Sequence, residues 1–385
     1  MKVVASGIDT LVIGFSIQSY LDVNNFETLT DAKTKAAEKQ FNSKGCGMEW
    51  FGTEFNMMPR GAMGYEWVMR NADVTVRIAR EARGGSIIPE VYVTFSSQNL
   101  WANGVDGAVM TFKRWLSKLA VIKDTKVSRA DLCMDLAMPF PKLDIQNEIV
   151  TRARKKVDYS DLLKVEHYVS CRRDTGYKFG AGDIVGRFYD KTVEVAVSQK
   201  EWMREVWLAE GWDGRTPVIR YEFQCRRNFL KEMSVNIFED LKERLADIWR
   251  YCTGDWLRVC DQGSTTNQSR WKSKDYWAVI QQSFSLFGQA YGVLRKKSKQ
   301  VRYEHLFKQL RGCAVSGVAA LSSGFGTAIG IFKLKEDLRA MLLSEDFLND
   351  VVKRQGSASN MEKPATHLVD RAIRMGAKVV SVDIS

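Results

Sequence analysis

Residues 126–137 read KVSRADLCMDLA, a stretch in which charged and apolar side chains alternate. Arg129, Asp131, Cys133 and Asp135 occupy alternate positions, and the residues between them are alanine, leucine and methionine. Successive side chains of a β-strand point to opposite faces of the sheet. We therefore expect one face of this strand to pack in a core and the other to present ionisable groups.

Two later segments show the same alternation. In VIRYEFQCR, residues 218–226, one face carries the polar side chains Arg220, Glu222, Gln224 and Arg226. In GRFYDK, residues 186–191, one face carries Arg187, Tyr189 and Lys191. An exposed sheet face is enough to explain a single strand of this kind. Three of them in one chain indicate that the ionisable faces converge at a site.

Working outward from these segments, the pattern predicts an α+β fold with a mainly antiparallel central sheet and packed helices. Alternating runs at 74–78 and 91–95 predict further strands, and GAGD at 180–183 predicts a hairpin turn. The spacing of apolar residues predicts a helix over 107–120, and residues 143–165 form a basic, helix-like stretch.

The domain organisation follows from a change of pattern at residue 236, where apolar residues begin to recur at helical spacing. We expect a catalytic α+β domain in residues 1–235 and a mainly helical C-terminal domain in residues 236–355. The tail, residues 356–385, is rich in small and polar residues and is expected to be loosely ordered.

Composition narrows the class of protein. The 385 residues include 57 lysines and arginines against 46 acidic residues, a net charge of +11, which favours a polyanionic partner such as DNA. The seven cysteines occur singly, which excludes a disulfide framework or a zinc ribbon. No apolar run has the pattern of a signal peptide or the length of a membrane span, so we expect a cytoplasmic protein with no membrane partner.

The acidic residues of the alternating strands indicate a metal site. Asp131, Asp135 and Glu222 offer hard oxygen ligands of the kind that Mg²⁺ or Mn²⁺ prefers. The three histidines of the chain are widely separated in sequence, which excludes a site built from clustered histidines. A divalent cation is therefore the cofactor that we expect.

Tyr189 is the candidate nucleophile. A phenol attacks poorly at neutral pH unless neighbouring cations lower its pKa, and Arg187, Lys191 or a metal would provide such cations. Attack on a phosphodiester would form a phosphotyrosyl link and release a sugar hydroxyl, and the retained ester would allow the strand to be rejoined. A strand tyrosine beside a phenylalanine is also commonly a packing residue, and that interpretation stays open.

Two dense basic runs are candidates for contacts with the DNA backbone, because clustered cations gain from the release of phosphate counterions. They are TRARKK at 151–156 and RKKSKQVR at 295–302. The residues that we expect to bind DNA are Arg129 and, in these runs, Arg152, Arg154, Lys155, Lys156, Arg295, Lys296, Lys297 and Lys299. Either run is also compatible with a solvated helix face.

Three motifs in a fixed order carry a resemblance to a known family: VSRADLCMD at 127–135, TGYKFGAGDIVGRFYDKTVEV at 175–195 and PVIRYEFQCRR at 217–227. The set resembles the Rep_trans-type replication initiation factors of rolling-circle plasmids and phages, together with related relaxases of conjugative elements. This resemblance implies an HUH-like nicking core, here without the HxH motif. It also implies that Tyr189 is the nucleophile, with Tyr177 as the second choice.

For the remaining site residues the resemblance implies that Asp131, Asp135 and Glu222 hold the metal, and that Lys191 and Arg220 contact the phosphate or the tyrosine. The implied activity is nicking and rejoining of one strand to start rolling-circle replication or transfer in a bacterium. The implied partner is DNA at an origin or transfer site, single-stranded or cruciform at the nick. A host helicase, the replication machinery and a homodimer are left open.

Two other functions remain alternatives. In the first, the carboxylates hold a metal that activates water, and the protein is a nuclease that cleaves without a covalent adduct. In the second, the carboxylates only balance arginines inside a DNA-binding protein without catalysis. The second alternative predicts binding that falls steeply with salt and no nicking.

Overall fold

The structure is a computed structural model of the 385-residue chain. The residues that it describes are 1–21, 25–38, 45–62, 64–80, 88–153, 156–158, 176–263, 265, 267–292, 295, 310, 313–322, 327–342, 344 and 346. The chain divides into two compact units, residues 1–297 and residues 298–385.

The first unit contains thirteen described strands. In chain order they are β1 (Lys2–Tyr20), β2 (Cys46–Trp50), β3 (Thr53–Met57), β4 (Trp67–Arg70), β5 (Val74–Ile78), β6 (Val91–Phe95), β7 (Ala120–Ala137), β8 (Ile149–Thr151), β9 (Lys156–Asp158), β10 (Gly176–Phe179), β11 (Ile184–Asp190), β12 (Val218–Arg226) and β13 (Leu257–Val259). Eleven of them form one antiparallel sheet in the order β2-β3-β4-β5-β6-β1-β7-β12-β11-β10-β9, and β8 pairs with β13 in a second, small sheet.

The long strands β1 and β7 form the middle of the large sheet. They pair over nearly their whole length, from Lys2 opposite Ala137 to Tyr20 opposite Ala120, with several irregularities in the register. β12 pairs with the second half of β7, from Val218 opposite Ala137 to Arg226 opposite Arg129. Because side chains alternate along each strand, this register separates the sheet into an apolar face and a polar face.

Helices cover both faces of the sheet. Those described in the first unit are α1 (Asn25–Glu38), α2 (Ser97–Leu116), α3 (Lys191–Ser198), α4 (Trp202–Ala209), α5 (Arg227–Glu232), α6 (Phe238–Arg250) and α7 (Asp275–Gln282). A π-helical turn, Tyr251–Trp256, continues α6, and 3-10 turns span Gln268–Arg270 and Ser283–Phe287.

The apolar face holds the main core. Phe112 of α2 packs on Phe15 of β1, with ring centroids 5.4 Å apart. At the other end of the face, Trp249 of α6 contacts Phe223 of β12 at 5.5 Å. Burial of aromatic side chains of this size contributes much of the stability of a domain. The helices of residues 238–287 therefore belong to the core of the sheet.

A second, smaller core lies at one end of the polar face, where α3 and α4 cover the sheet. Val195, Met203 and Trp207 of these helices pack against Val4 of β1 and Val218 of β12. The remainder of the polar face carries half-buried polar side chains, among them those of β11 and β7 described below.

The α+β fold with its large antiparallel sheet and packed helices is as the sequence predicts. The hairpin at 180–183 is confirmed, since β10 and β11 are joined there and Gly180 takes a φ of +76° that favours glycine. The described part of 143–165, predicted as helix-like, contains β8 and β9 instead, because β-branched Ile149, Val150 and Thr151 suit a strand.

The division of the chain at residue 297 places the helices of residues 238–287 in the same unit as the sheet, whereas the sequence pattern placed a boundary at 235. The physical reason is that these helices bury their apolar stripes on the sheet. In the second unit, residues 313–322 and Thr327–Leu342 are helical. The predicted tail, 356–385, lies outside the described residues.

None of the described helices has the length and apolar character needed to cross a membrane.

Candidate active site on the polar face of the sheet

The three alternating strands lie side by side, and the ionisable residues at their alternate positions share one face, as the sequence predicts, with the exception of Lys191. In the register, Glu222 of β12 lies between Cys133 of β7 and Arg187 of β11. In the next polar row of the same face, Arg220 of β12 lies opposite Tyr189 of β11. The convergence expected from the period-two pattern is therefore confirmed.

At the centre of this face, Tyr189 and Glu222 are hydrogen-bonded. The phenol of Tyr189 donates to Oε2 of Glu222 at 3.1 Å. The other carboxylate oxygen of Glu222 accepts from Nη1 of Arg187 at 2.8 Å, and Nη2 of Arg187 donates to Oε1 of Gln224 at 2.7 Å. Since the Glu222 side chain is only 9 % exposed and fixed at both oxygens, it is a preorganised partner for the phenol.

The pKa of Tyr189 departs from the expectation based on the sequence. Burial raises the pKa of the phenol well above its ordinary value, and the charge of Glu222 adds to the increase, while Arg220 opposes it. We expected cations to lower this pKa. The phenol is therefore protonated at neutral pH, and any reaction of its oxygen requires a proton acceptor, for which Glu222 is in position.

Lys191 is not the strand residue that the alternation predicts. It is the first residue of α3, for which Asp190 provides the N-cap by accepting a hydrogen bond from the Val193 backbone N–H. The ammonium of Lys191 is paired with Glu194 at 2.5 Å, and it lies 5.6 Å from the centroid of the Tyr189 ring. The strand ends one residue too early for Lys191 to continue its polar face, because Asp190 caps the helix that starts there. Of the two contacts expected of Lys191, with the phosphate or with the tyrosine, the structure shows the one with the tyrosine ring.

The resemblance implied that Arg220 contacts the phosphate or the tyrosine, and the structure places it opposite Tyr189, where its charge opposes the rise in the pKa of the phenol. The Arg220 side chain is completely buried, and it donates to both carboxylate oxygens of Asp135, at 2.6 and 2.8 Å. It also bonds to Asp9 of β1, and Trp207 of α4 donates to Asp135 at 2.9 Å. A guanidinium enclosed in this way cannot contact a DNA phosphate without rearrangement of the fold. Arg220 is therefore a structural link between β1, β7 and β12.

The Asp9–Arg220 pair makes stability depend on pH. Burial alone would raise the pKa of Asp9, but Arg220 and then Lys191 outweigh it and lower this pKa from 3.8 to about 2. A carboxyl whose folded pKa is depressed stabilises the fold above its unfolded pKa and loses that contribution as the pH falls to its folded pKa.

We expect the free energy of unfolding to fall by about 2 kcal/mol through this carboxyl between about pH 4 and about pH 2. Urea unfolding at a series of pH values measures the effect. In Asp9→Asn this portion of the pH dependence is expected to disappear. Equal pH dependence of the two proteins over this range would contradict the assignment.

Arg129 and Asp131 form a second pair on β7. Nε of Arg129 donates to Asp131 at 2.7 Å, and Nη2 bonds to the other carboxylate oxygen. Burial raises the pKa of Asp131 to about 7 against the opposing hydrogen bonds from Arg129, and the charge of Glu222 adds to the increase. Asp131 is 1 % exposed, whereas Arg129 is 35 % exposed, so the guanidinium is the part of this pair that a ligand reaches first.

The three predicted metal ligands do not form a joint site. All six of their carboxylate oxygens accept hydrogen bonds from protein groups: Asp131 from Arg129, Asp135 from Arg220 and Trp207, and Glu222 from Arg187 and Tyr189. Among the residues that the structure describes, no group of three or more His, Cys, Asp or Glu side chains is arranged to hold a metal ion. These donors do not fit a metal as they stand, and the requirement for Mg²⁺ or Mn²⁺ stays a prediction.

Tyr177, the second choice for the nucleophile, lies on the opposite face of the sheet. It is opposite Phe188 in the register, and its ring stacks on Phe140 with centroids 5.6 Å apart. Its hydroxyl accepts from the Leu143 backbone N–H at 3.0 Å and bonds to the Pro141 carbonyl. These contacts make Tyr177 a packing residue, remote from the ionisable face.

Two of the predicted DNA-binding cations outside the polar face are described with their side chains. They are Arg152 and Arg295, which line a common cavity. Lys156 lies in β9, and nothing is described of its side chain. The others lie outside the described residues, and they are Arg154, Lys155, Lys296, Lys297 and Lys299.

Two residues of this face were missed by the sequence reasoning. Asp9, which interrupts an apolar strand, accepts hydrogen bonds from Arg220 and from Ser97 at the start of α2. Its signal was the charge itself, in an otherwise apolar run. Lys178 of β10 lies directly opposite Arg187 and is half-buried. Its signal was its position between two aromatic residues, which places it on the polar face.

The chain is similar to a rolling circle replication initiator protein from Geobacillus stearothermophilus, with a TM-score of 0.40 and 16 % identity over 77 % of this chain and 99 % of that chain. No protein-family model matches the chain, and no curated protein does. A TM-score below 0.5 does not establish a shared function.

Proposed function

We propose that this protein cuts one strand of DNA by attack of Tyr189 on a phosphodiester and remains attached to the cut end through that tyrosine. The observation that supports the proposal is the hydrogen bond from the Tyr189 phenol to the enclosed carboxylate of Glu222, 3.1 Å long, on a polar face that carries arginines. A packing tyrosine has no need of a carboxylate partner held in place by a second charged side chain.

In the proposed reaction Glu222 is the general base. As the phenol oxygen of Tyr189 bonds to phosphorus, its proton passes to Oε2 of Glu222, which already accepts the hydrogen bond. The bond between phosphorus and the sugar oxygen breaks, and the released oxygen takes a proton from the solvent to become a hydroxyl. Glu222 then returns the proton that it accepted to the solvent. The reverse sequence rejoins the strand, because the phosphotyrosyl ester replaces one ester by another.

A DNA strand that passes Tyr189 requires cations along the same face of the sheet. Arg187 and Arg129 are 30 % and 35 % exposed on this face, and each is oriented by a carboxylate, Glu222 or Asp131. Planar guanidinium groups held in this way suit the oxygens of a phosphate and stabilise negative charge that develops there. Lys178, opposite Arg187, adds a third positive charge.

In the cell, we propose that this nicking and rejoining activity starts rolling-circle replication or the strand transfer of a mobile element. Support for that role comes from the order of the three motifs in the sequence. We also propose that the partner is DNA, that the protein acts as an initiator or a relaxase, and that a divalent cation is its cofactor.

Mass spectrometry of a trapped adduct tests the proposal. The protein is incubated with a pool of single-stranded DNA of randomised sequence and Mn²⁺ or Mg²⁺, with EDTA in a parallel sample, and then digested with trypsin. Cleavage after lysine and arginine places Tyr189 in FYDK, residues 188–191, and Tyr177 in DTGYK, residues 174–178. A nucleotide on FYDK is the expected result. A nucleotide on DTGYK, or cleavage without any adduct, would overturn the assignment.

Replacement of Glu222 by glutamine is expected to lower the single-turnover nicking rate by about 10²- to 10⁴-fold. Glutamine still accepts the hydrogen bond from Tyr189, but it does not take up the proton. Glu66→Gln is the matched control, since Glu66 also receives two hydrogen bonds from an arginine, Arg80, at 2.7 and 2.8 Å. If the two variants nick at the same rate, Glu222 is not the base.

A further inference from the structure

The two basic runs of the sequence, 151–156 and 295–302, begin at the same place on the molecule. Arg152 and Arg295 line one cavity of about 690 Å³, together with Arg250 at the end of α6. The side chains of Tyr251 and Phe284 contribute aromatic surface to it. Three guanidinium groups from parts of the chain that are far apart in sequence therefore converge at one cavity.

This cavity lies on the other side of the sheet from Tyr189. It is formed by α6, the π-helical turn and the segment after α7, and this layer packs on the apolar face through Trp249 and Trp256, which both contact Phe223. Tyr189 lies on the polar face. The two regions are separated by the thickness of the sheet, so a ligand in the cavity does not contact the nicking residues.

The backbone holds the cavity in shape. The amide of Arg152 and the hydroxyl of Thr151 both donate to the Trp256 carbonyl at 2.9 Å, which fixes β8 beside the π-helical turn. Within the turn, the Thr253 hydroxyl donates to the Trp249 carbonyl at 2.8 Å. π-Helical turns are rare in proteins as a whole, and many of those that occur lie at functional sites.

The three arginines of the cavity differ in how strongly they are paired with protein groups. Arg295 is paired with Glu232 at 2.5 Å, and it also donates to the Tyr251 hydroxyl at 2.9 Å. Arg152 makes only a loose, exposed pair with Asp255 at 3.6 Å. Arg250 lies over the Phe284 ring, 5.2 Å from its centroid, and has no ion pair with a carboxylate in the described part of the chain.

Asp247, the buried acidic residue of the cavity, is engaged by the backbone. Both carboxylate oxygens of Asp247 accept backbone N–H groups, from Tyr291 at 3.0 Å and from Gly292 at 2.9 Å. The carboxylate thereby holds the backbone at Tyr291 and Gly292. Arg250 and Arg152 remain as the cations that face solvent, and such guanidinium groups bind phosphate oxygens well.

We propose that this cavity is a second nucleic-acid site, in which Arg250 and Arg152 bind the phosphodiester backbone of DNA on the side of the sheet opposite Tyr189. The choice of DNA as the source of the phosphate rests on the proposed function, whereas the anion site itself rests on the converging arginines. The site adds affinity that does not depend on the nicked bond. The DNA strand held at Tyr189 and the DNA held here are different segments.

The test is the salt dependence of DNA binding in Arg250→Gln, measured by fluorescence anisotropy with a labelled duplex and, separately, a labelled single strand of random sequence. Loss of one phosphate contact is expected to reduce the slope of log affinity against log salt by about 0.9 for duplex or about 0.7 for a single strand. It is expected to weaken binding by roughly fivefold to tenfold at low salt. If the salt slope changes for the duplex, the cavity binds double-stranded DNA. If it changes for the single strand, the cavity binds single-stranded DNA.

Arg60→Gln is the matched control, because Arg60 is an exposed arginine in the turn after β3, away from the cavity. Nicking of a short single strand is expected to be equal in Arg250→Gln and the unmodified protein. If Arg250→Gln binds both DNAs as Arg60→Gln does, the inference is overturned. It is also overturned if the loss is independent of salt, or if a free mononucleotide displaces the DNA at low concentration.

The result separates this inference from the proposed function. If no adduct forms at Tyr189 but Arg250→Gln reduces the salt slope of DNA binding, the proposed nicking activity is wrong and the cavity is still a DNA site. If an adduct forms at Tyr189 but the slope is unchanged in Arg250→Gln, the nicking activity is supported and the cavity is not a DNA site. Urea unfolding of Arg250→Gln controls for stability, since this exposed side chain lies over an aromatic ring.

Discussion

Tyr189→Phe is expected to abolish the covalent protein–DNA adduct and to lower strand cleavage by at least about 10³-fold, because the nucleophilic oxygen is removed. The ring is retained, and with it the packing against the ammonium of Lys191. The fold should therefore change little, although Glu222 loses one of its two hydrogen-bond donors. Denaturing gels with end-labelled DNA measure cleavage and adduct in the same lanes.

Tyr177→Phe is the matched control for this experiment. It removes a phenol from the neighbouring strand, on the opposite face, where the hydroxyl bonds to the backbone at Leu143 and Pro141. We expect unchanged nicking and a loss of about 1 kcal/mol in the free energy of unfolding. Cleavage that survives in Tyr189→Phe without an adduct would point to water as the nucleophile. Loss of the adduct in Tyr177→Phe would transfer the role to that residue.

Arg220→Met is expected to lower the free energy of unfolding by about 3 to 5 kcal/mol, the largest stability effect that we predict for one substitution. Methionine fills much of the volume but leaves the carboxylates of Asp9 and Asp135 without their shared cation. Asp135 has no exposed surface through which water could compensate for the loss. Urea unfolding followed by tryptophan fluorescence measures the change.

A charge pair on the surface gives the comparison for Arg220. Lys242 and Asp106 are 2.7 Å apart, with side chains 44 % and 63 % exposed, and Lys242→Met is expected to cost no more than about 1 kcal/mol. Adding Asp135→Asn to Arg220→Met should recover part of the lost stability, because a neutral amide is less costly to bury than an unpaired carboxylate. Equal losses for Arg220→Met and Lys242→Met would refute the network.

The period-two pattern predicted the part of the site that depends on strand geometry. Residues at alternate positions of a strand must share a face, so Asp131, Glu222 and Tyr189 could be placed on polar faces from the sequence alone. The pattern also predicted the α+β fold and the hairpin at 180–183. The pattern predicts which face of the sheet a side chain lies on. It does not predict which residue that side chain contacts.

The partners depend on which strands are neighbours and on the helices that cover them. Asp9 comes from β1 and Trp207 from α4, and neither position follows from the alternation on β7 or β12. For this reason the carboxylates that we predicted to hold a metal are instead paired with arginines. Lys191 was misplaced for a local reason, since an aspartate cap ends the strand and begins α3.

The bonds of Arg220 also determine when this face can form during folding. Arg220 reaches Asp135, 85 residues earlier in the chain, and Asp9, 211 residues earlier. Contacts between residues so far apart require closure of long loops, which makes them slow to form. A nascent chain that ends before β12 carries both carboxylates without a cation. The polar face is therefore assembled only after most of the first unit has been synthesised, and a protein truncated before residue 218 should accumulate as an incompletely folded species.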